Sequence, residues 1–279
     1  MTGMAATRSG PEADGEPGPT DLDLTELAPA DLLAALTGGE LRAAEPDPTS
    51  PDGWRVRHDV KAAILACFAD RTMASWSVGP LTFHDRANLP PIDPGADRRI
   101  VPGGTAIRAG AYLAPGVIVM PPSYVNVGAW VGEGTMVDSH VLVGSCAQIG
   151  ARVHLSAGVT IGGVLEPAGA RPVIVEDDAF VGSGSRLLEG VLVGAGAVIG
   201  AGVTLTGTSR LYDLVEAREI EGTPQRPLAV PPGAVVVPGA RPAAGTWAEA
   251  RGLTIATALI VKRRDPGTSA RIALEGALR

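Results

Sequence analysis

The chain has 279 residues, a formal net charge of −7, 45% hydrophobic and 19% charged residues. That is enough apolar material for a buried core, and an acidic chain is no electrostatic match for nucleic acid or an anionic membrane. Aromatic residues make up only 4% while glycine reaches 37 residues, so Val, Ile, Leu and Ala must fill the interior, which favours many thin, regular layers over one thick core.

Residues 1–20 are Gly, Pro, Ala and acidic, and read as a disordered tail without the apolar stretch of a secretory signal. Leu24, Leu27, Leu32, Leu33 and Leu36 then recur at rough helical spacing until Gly38-Gly39 stops the run. A Pro/Asp/Gly stretch at 44–54 reads as a loop. Asp59 to Phe68 puts Val60, Ile64, Leu65 and Phe68 on one face, which predicts a second amphipathic helix. Residues 70–99 hold short strand-like pieces and a linker with Pro90, Pro91 and Pro94.

From Ile107 an aliphatic residue recurs at every sixth position: Leu113, Val119, Val125, Val131, Val137, Val143, Ile149, Leu155 and Ile161. The register breaks at 166–174 and resumes at Val175, Val181, Leu187, Val193, Ile199, Leu205 and Leu211. A polar excursion fills 212–229, and two further hexads follow at Val230 and Val236. Neither a helix nor an ordinary strand has period six. A hexapeptide repeat marks a parallel β-helix, in which each side of a triangular coil takes six residues and each coil eighteen. The aliphatic residue points inward and stacks on its equivalent one coil away. Such a bore is too narrow for rings, which fits the low aromatic content. The insertion 166–174, with Glu166, Pro167, Gly169 and Pro172, is expected to project from the coils, because the bore is full. Leu253 to Val261 reads as a strand, followed by the basic residues Lys262, Arg263 and Arg264.

The pattern divides the chain into a tail (1–20), an N-terminal helical domain and linker (21–99), a β-helix (100–241) and a C-terminal segment (242–279). Apolar runs are short and broken by glycine, so none predicts a membrane span. Two cysteines, Cys67 and Cys146, cannot form a disulfide framework and point to a reducing, cytoplasmic setting; both read as small buried apolar residues. His58, His84, His140 and His154 show no ligand spacing, so no metal is expected. Gly194 to Gly200 imitates a dinucleotide-binding loop, but it falls in the hexad register with no helix after it.

Several segments resemble the tetrahydrodipicolinate N-succinyltransferase family. They are PSYVNVGAWV (122–131) and GTMVDSHVLVGSCAQIGARVHLSAGVTIGGVLEP (134–167) in the coils, and ALTGGELRAAE (35–45) and VKAAILACF (60–68) before them. RIVPGGTAIR (99–108), VPPGAVVVPG (230–239) and ALIVKRR (258–264) extend the likeness. The resemblance implies a left-handed β-helix assembled as a homotrimer with sites between subunits. It implies succinyl-CoA as co-substrate, no permanently bound cofactor, and succinyl transfer to the amine of L-2-amino-6-oxopimelate, the hydrated form of tetrahydrodipicolinate, in lysine and diaminopimelate synthesis.

By the same resemblance, Arg99 contacts a substrate carboxylate and Asp138 meets the acceptor amine. Both fit their chemistry, since a guanidinium binds carboxylate bidentately and an ammonium must lose a proton before it attacks a thioester. Gly184 and Arg186 depart from the family's Arg and Glu, and a positive group there repels an ammonium. Glu189 matches a later family Glu and is a candidate replacement acid. His140 stands where the family has Trp and is a candidate base. The Pro121-Pro122 pair lengthens one corner. The donor's CoA arm is expected along residues 195–240, with Lys262 or Arg263 near its phosphates. The departures leave two alternatives: a same-family acyltransferase with another amine substrate, as in secondary metabolism, and a catalytically inert trimeric paralogue.

Overall fold

The computed structural model describes residue 24 and residues 27–264; the expected tail and the end of the C-terminal segment lie outside the described residues. The first helix, Pro29–Gly38, starts with proline at its N-terminus and ends at Gly39, whose φ of 81° is left-handed. It buries Leu32, Leu33 and Leu36. The second, His58–Cys67, buries Val60, Lys61, Ile64 and Cys67. Part of the stretch expected as a loop is ordered: Ala44–Pro46 pairs antiparallel with Trp54–Val56, and the Pro/Asp/Gly residues turn between them. A hairpin follows, Met73–Val78 with Leu81–Arg86.

Beyond it the chain winds into a parallel β-helix of two-residue strands. Sheet I stacks Tyr112–Leu113, Trp130–Val131, Gln148–Ile149, Ile174–Val175, Leu192–Val193 and Ala229–Val230. Sheet II begins at Arg99–Ile100 and rises through Ile118–Val119, Met136–Val137, His154–Leu155, Phe180–Val181 and Val198–Ile199 to the long strand Ala234–Pro242. Sheet III rises from Ala106–Ile107 to Thr204–Leu205. Register is set by the period: Val119 pairs with Val137 and Val137 with Leu155, each eighteen residues on. The hexad aliphatics from Leu113 to Val236 are no more than 4% exposed. Each such burial contributes about 1.5–3 kcal/mol. Close stacking also dictates Gly144, where a Cβ would lie 2.2 Å from the backbone nitrogen of Gly163.

The helices form a second core, in which Leu33, Leu36, Val60, Ile64 and Cys67 pack with Val127 and Cys146 of the coils. Arg42 bolts this domain to sheet I. Its guanidinium lies 4.0 Å from the centre of the Trp130 ring, and its Nε donates to Gln148 Oε1 at 3.0 Å. Burial pushes the Cys146 thiol up to about 12, with Lys61 opposing the shift, in keeping with an inert, buried residue.

The insertion after Leu165 departs from expectation. It leaves the coil, since Gln148 pairs with Ile174 rather than with a residue eighteen further on, but it does not project freely. The buried Lys61 donates to Pro167 O at 3.3 Å and Ala170 O at 2.6 Å. The buried Arg171 pairs with Asp52 and donates to the carbonyls of Gly190, Pro227 and Leu228. The Pro167 and Leu228 carbonyls also accept the Ala170 and Leu192 N–H groups, whereas those of Ala170, Gly190 and Pro227 depend on the two buried cations for a donor.

The polar excursion holds the hairpin Arg210–Asp213 with Arg218–Glu221. The last strand, Thr254–Arg263, pairs antiparallel with Ala234–Pro242, so Lys262 and Arg263 lie within it rather than after it. Among the described residues, no helix is long and apolar enough to cross a membrane.

Arg171→Ala should destabilise the protein by about 3 kcal/mol, because removing one partner strands Asp52 and the carbonyls of Gly190 and Pro227, while Leu228 keeps the Leu192 N–H. Denaturant unfolding checks this; an unchanged midpoint would mean that the insertion is not held by Arg171.

Candidate active site

The helical domain covers sheet I, where the rings of Tyr112 and Trp130 pack with centroids 4.1 Å apart. The site residues expected from the sequence lie elsewhere, on sheets II and III and their corners. Residues preceding an inward aliphatic point outward, and on sheet II these are Arg99, Ile118, Met136, His154 and Phe180 in successive strands. Arg99 is exposed at the lowest rung. Asp138 follows Met136–Val137 where sheet II turns toward sheet III, and is half-buried. Its Oδ1 accepts from the Ser139 backbone N–H at 2.7 Å. Two rungs separate Arg99 from the Asp138 coil, about 10 Å along the axis.

His140 occupies the same corner, exposed, with φ 62°, a left-handed conformation uncommon for a residue with a side chain. Glu189 sits at the other end of sheet III, on the corner leading to sheet I, also with positive φ. One chain thus brings Arg99 and Asp138 to one side of the prism and puts Glu189 on a different edge. Gly184 lies on the Asp138 edge, higher up, with φ 69° and open space where a Cβ would be. Arg186 points outward from sheet III, exposed, between Thr160 and Thr204.

The basic residues of the last strand differ from each other. Arg263 is committed to structure: its guanidinium pairs with Asp213, whose side chain is 0% exposed, and with Glu216 at 2.9 Å. Burial alone would push the Asp213 carboxyl up, but the hydrogen bonds and charge of Arg263 outweigh it and hold the group below the usual range. Lys262 has no ion pair among the described residues and lies beside Val235 at the top of sheet II.

Two features escaped the sequence reading. One is His154, set aside for lack of ligand spacing. The period exposes it: it stands one coil above Met136, beside Asp138. Its ring stacks on Phe180 at 5.1 Å and 9°. Burial pushes its pKa down, and the Asp138 charge pulls the other way without cancelling the shift. The other is a cavity of about 210 Å³ lined by Thr204, Thr208, Ser209, Arg210, Arg241 and Thr257. Arg241 has no ion pair among the described residues, so hydroxyls and a guanidinium face a space suited to an anion. No sequence signal links these positions, because the cavity is closed by a strand remote in the chain. No group of His, Cys, Asp and Glu among the described residues could hold a metal.

A family model described as a hexapeptide repeat of succinyl-transferase matches residues 172–207. A protein of Bordetella petrii named 2,3,4,5-tetrahydropyridine-2,6-dicarboxylate N-succinyltransferase is 42% identical over 253 residues, 88% of this chain and 87% of the relative. Relatives of the same name from Azoarcus sp. (42% over 260 residues, 90% of this chain and 89% of the relative) and Bordetella avium (40% over 271 residues, 91% and 93%) match similarly.

The Arg263–Asp213 pair predicts a pH dependence. A carboxyl with a depressed folded pKa stabilises the fold above its unfolded pKa of about 3.9, and that contribution is lost as pH falls through the folded value. Arg263→Ala should destabilise the protein by about 2 kcal/mol at neutral pH and flatten the loss of stability below about pH 4. Thermal unfolding from pH 3 to 7 reads both; parallel curves for the two proteins would refute the assignment.

Proposed function

We infer the activity from one premise: the chain belongs to the 2,3,4,5-tetrahydropyridine-2,6-dicarboxylate N-succinyltransferase family. It is an acyltransferase that adds a succinyl group to the amine of the opened tetrahydropyridine dicarboxylate. The observation that carries this reading is the extent of the match. Identity near 42% runs over 88% of the chain, so it takes in the helical domain and the excursions as well as the coils that unrelated acyltransferases share.

In this reading succinyl-CoA is the donor. Arg99 grips a carboxylate of the acceptor through a bidentate pair. Asp138, about 10 Å higher on the same side, holds the ammonium that must lose a proton. The freed amine attacks the thioester carbonyl, the N–C bond forms, the C–S bond breaks, and the thiolate leaves as CoA thiol. Glu189 lies on another edge of the prism, so it meets an amine beside Asp138 only when supplied by a neighbouring copy. That requirement supports a homotrimer with shared sites. Lys262, free of carboxylate partners among the described residues, is the better candidate for the donor's phosphates, and Arg263 acts by holding the last strand. Arg241 and its hydroxyl neighbours offer a second cradle for an anionic end of the donor.

A second reading, the same chemistry on a different amine, is favoured by one observation. Arg186 stands exposed, without an ion pair among the described residues, and Gly184 leaves open space on the neighbouring corner. An arginine there attracts a carboxylate and repels an ammonium, which suits an acceptor with its charges arranged differently.

Thiol release from succinyl-CoA, with tetrahydrodipicolinate and a panel of amino diacids as acceptors, tests both readings. Activity on tetrahydrodipicolinate supports the first, and activity confined to another diacid supports the second. No release with any amine refutes both. In the active assay, Asp138→Asn should lose at least about 100-fold in rate. Lys262→Ala should raise the donor KM with little change in kcat; an unchanged KM would remove Lys262 from the donor site.

A further inference from the structure

Sheet II carries one titratable ring on its outward face that the reading above leaves without a task. His154 sits between Met136 below and Phe180 above, one rung from each. Its residue is half-buried, and Phe180 lies flat against it with ring centroids 5.1 Å apart. Neither ring nitrogen has a hydrogen-bond partner among the described residues. Neither is a buried atom without a partner, so both nitrogens are accessible from outside the chain. Asp138 is its diagonal neighbour. Met136 pairs with His154, and Asp138 stands two residues beyond Met136 on the same outward side, which in a sheet is a separation of about 7–8 Å between backbones. A carboxylate and an imidazole so arranged can grip one ammonium between them.

We propose that His154 is the base that takes the proton from the acceptor's ammonium, with Asp138 holding that ammonium against it. The proposal rests on the acyltransferase reading and adds the group that moves the proton. The step balances. An N–H bond of the ammonium breaks and its proton goes to the free nitrogen of His154. That first proton passes from the ring to solvent. The amine lone pair attacks the thioester carbonyl, the adduct nitrogen gives its second proton to the neutral ring, the C–S bond breaks, and the imidazolium hands that proton to the leaving thiolate.

A second group beside the carboxylate is useful here, because carboxylates as a class are weak bases toward an ammonium proton. An imidazole is by nature a better proton acceptor than a carboxylate near neutral pH. The surroundings keep the ring neutral. Its neighbours above and below are apolar, burial lowers its pKa, and Asp138 is the charge that opposes the shift. Arg152, paired with Asp177 and Asp178, lies at the other end of the same strands, and Arg264 reaches the Asp178 carbonyl at 3.1 Å there. Arg99 is three rungs below. His140 lies on the turn itself, exposed and off the apolar column, and the proposal gives the proton to His154 instead.

The test compares pH–rate profiles of kcat/KM for the wild-type protein, His154→Asn and His140→Ala, using succinyl-CoA and whichever acceptor the wild type takes. Wild-type turnover establishes the acyltransferase reading independently, so failure of one is distinguishable from failure of the other. The wild-type profile should rise with an apparent pKa below about 6.5. His154→Asn should lose that limb and about 10²–10⁴-fold in kcat, with the donor KM within about twofold. Persistence of the limb in His154→Asn, or its disappearance in His140→Ala alone, overturns the proposal. NMR titration of the His154 ring in the wild-type protein and in Asp138→Asn supplies a readout that does not depend on the His154→Asn variant folding. Asp138→Asn should lower the ring's pKa by removing the opposing charge, and a value unmoved by that change also counts against the pair.

Discussion

One constraint governs this molecule: an eighteen-residue coil must lay each inward aliphatic on its equivalent one rung below. Val119, Val137, Leu155, Val181, Ile199 and Val236 form one such column, each fully buried. A shift of one residue would turn every inward side chain to solvent. Corners tolerate little either, as the 2.2 Å clash awaiting a Cβ at Gly144 illustrates. Additional chain must therefore leave the coil completely and return in register. The insertion after Leu165 does so, because Gln148 still meets Ile174 and Ile149 still meets Val175. So does the excursion after Leu211, which returns to pair Val230 with Val193.

What leaves the coil arrives at the surface with unpaired backbone groups, and buried cations satisfy them. Lys61 reaches the insertion from the second helix, and Arg171 reaches back from the insertion to Asp52 and to the second excursion. In the second excursion a buried anion takes this part: Asp213 accepts from the Val215 and Glu216 backbone N–H groups and pairs with Arg263 of the last strand. The same logic explains why Arg42 lies flat on Trp130: an aromatic on an outward face of sheet I needs cover, and a guanidinium gives cover without losing its hydrogen bonds. The helical domain is thus fastened to the coils by charge as well as by the apolar contact of Ile64 with the Cys146 corner.

The legibility of the sequence follows from this division. Everything that obeys the period could be read, including the positions of inward residues, the break at 166–174 and the return at Val175. Both helices were legible because their apolar spacing is local and Gly39 ends the first. The destination of the insertion was not, since the partners of Lys61 and Arg171 lie 106 and 119 residues away in the chain. For the same reason the basic pair looked uniform, although a buried Asp213 separates Arg263 from Lys262 in role. His154 is the instructive omission. Judged by ligand spacing it had no partner, whereas the eighteen-residue step puts it next to Asp138.

The outward faces also explain how such a chain can keep its fold while its chemistry changes. Replacing an outward residue leaves the bore untouched, so Arg186 and Gly184 carry no penalty in core packing. Gly184, at φ 69°, even relieves the strain a side chain would bear there. The residues proposed to hold the reaction centre are constrained differently. Asp138 spends one carboxylate oxygen on the Ser139 amide, which fixes its direction, and Phe180 fixes the plane of His154. In the proposed site, orientation at the reacting nitrogen is therefore built into neighbouring rungs of sheet II, the column that also carries Arg99, while Arg186 stands on the neighbouring face, where the bore places no demand on it. Changes concentrated at 184 and 186, with Arg99 and Asp138 retained, are the pattern this geometry allows when acyl transfer is kept and the acceptor is free to differ.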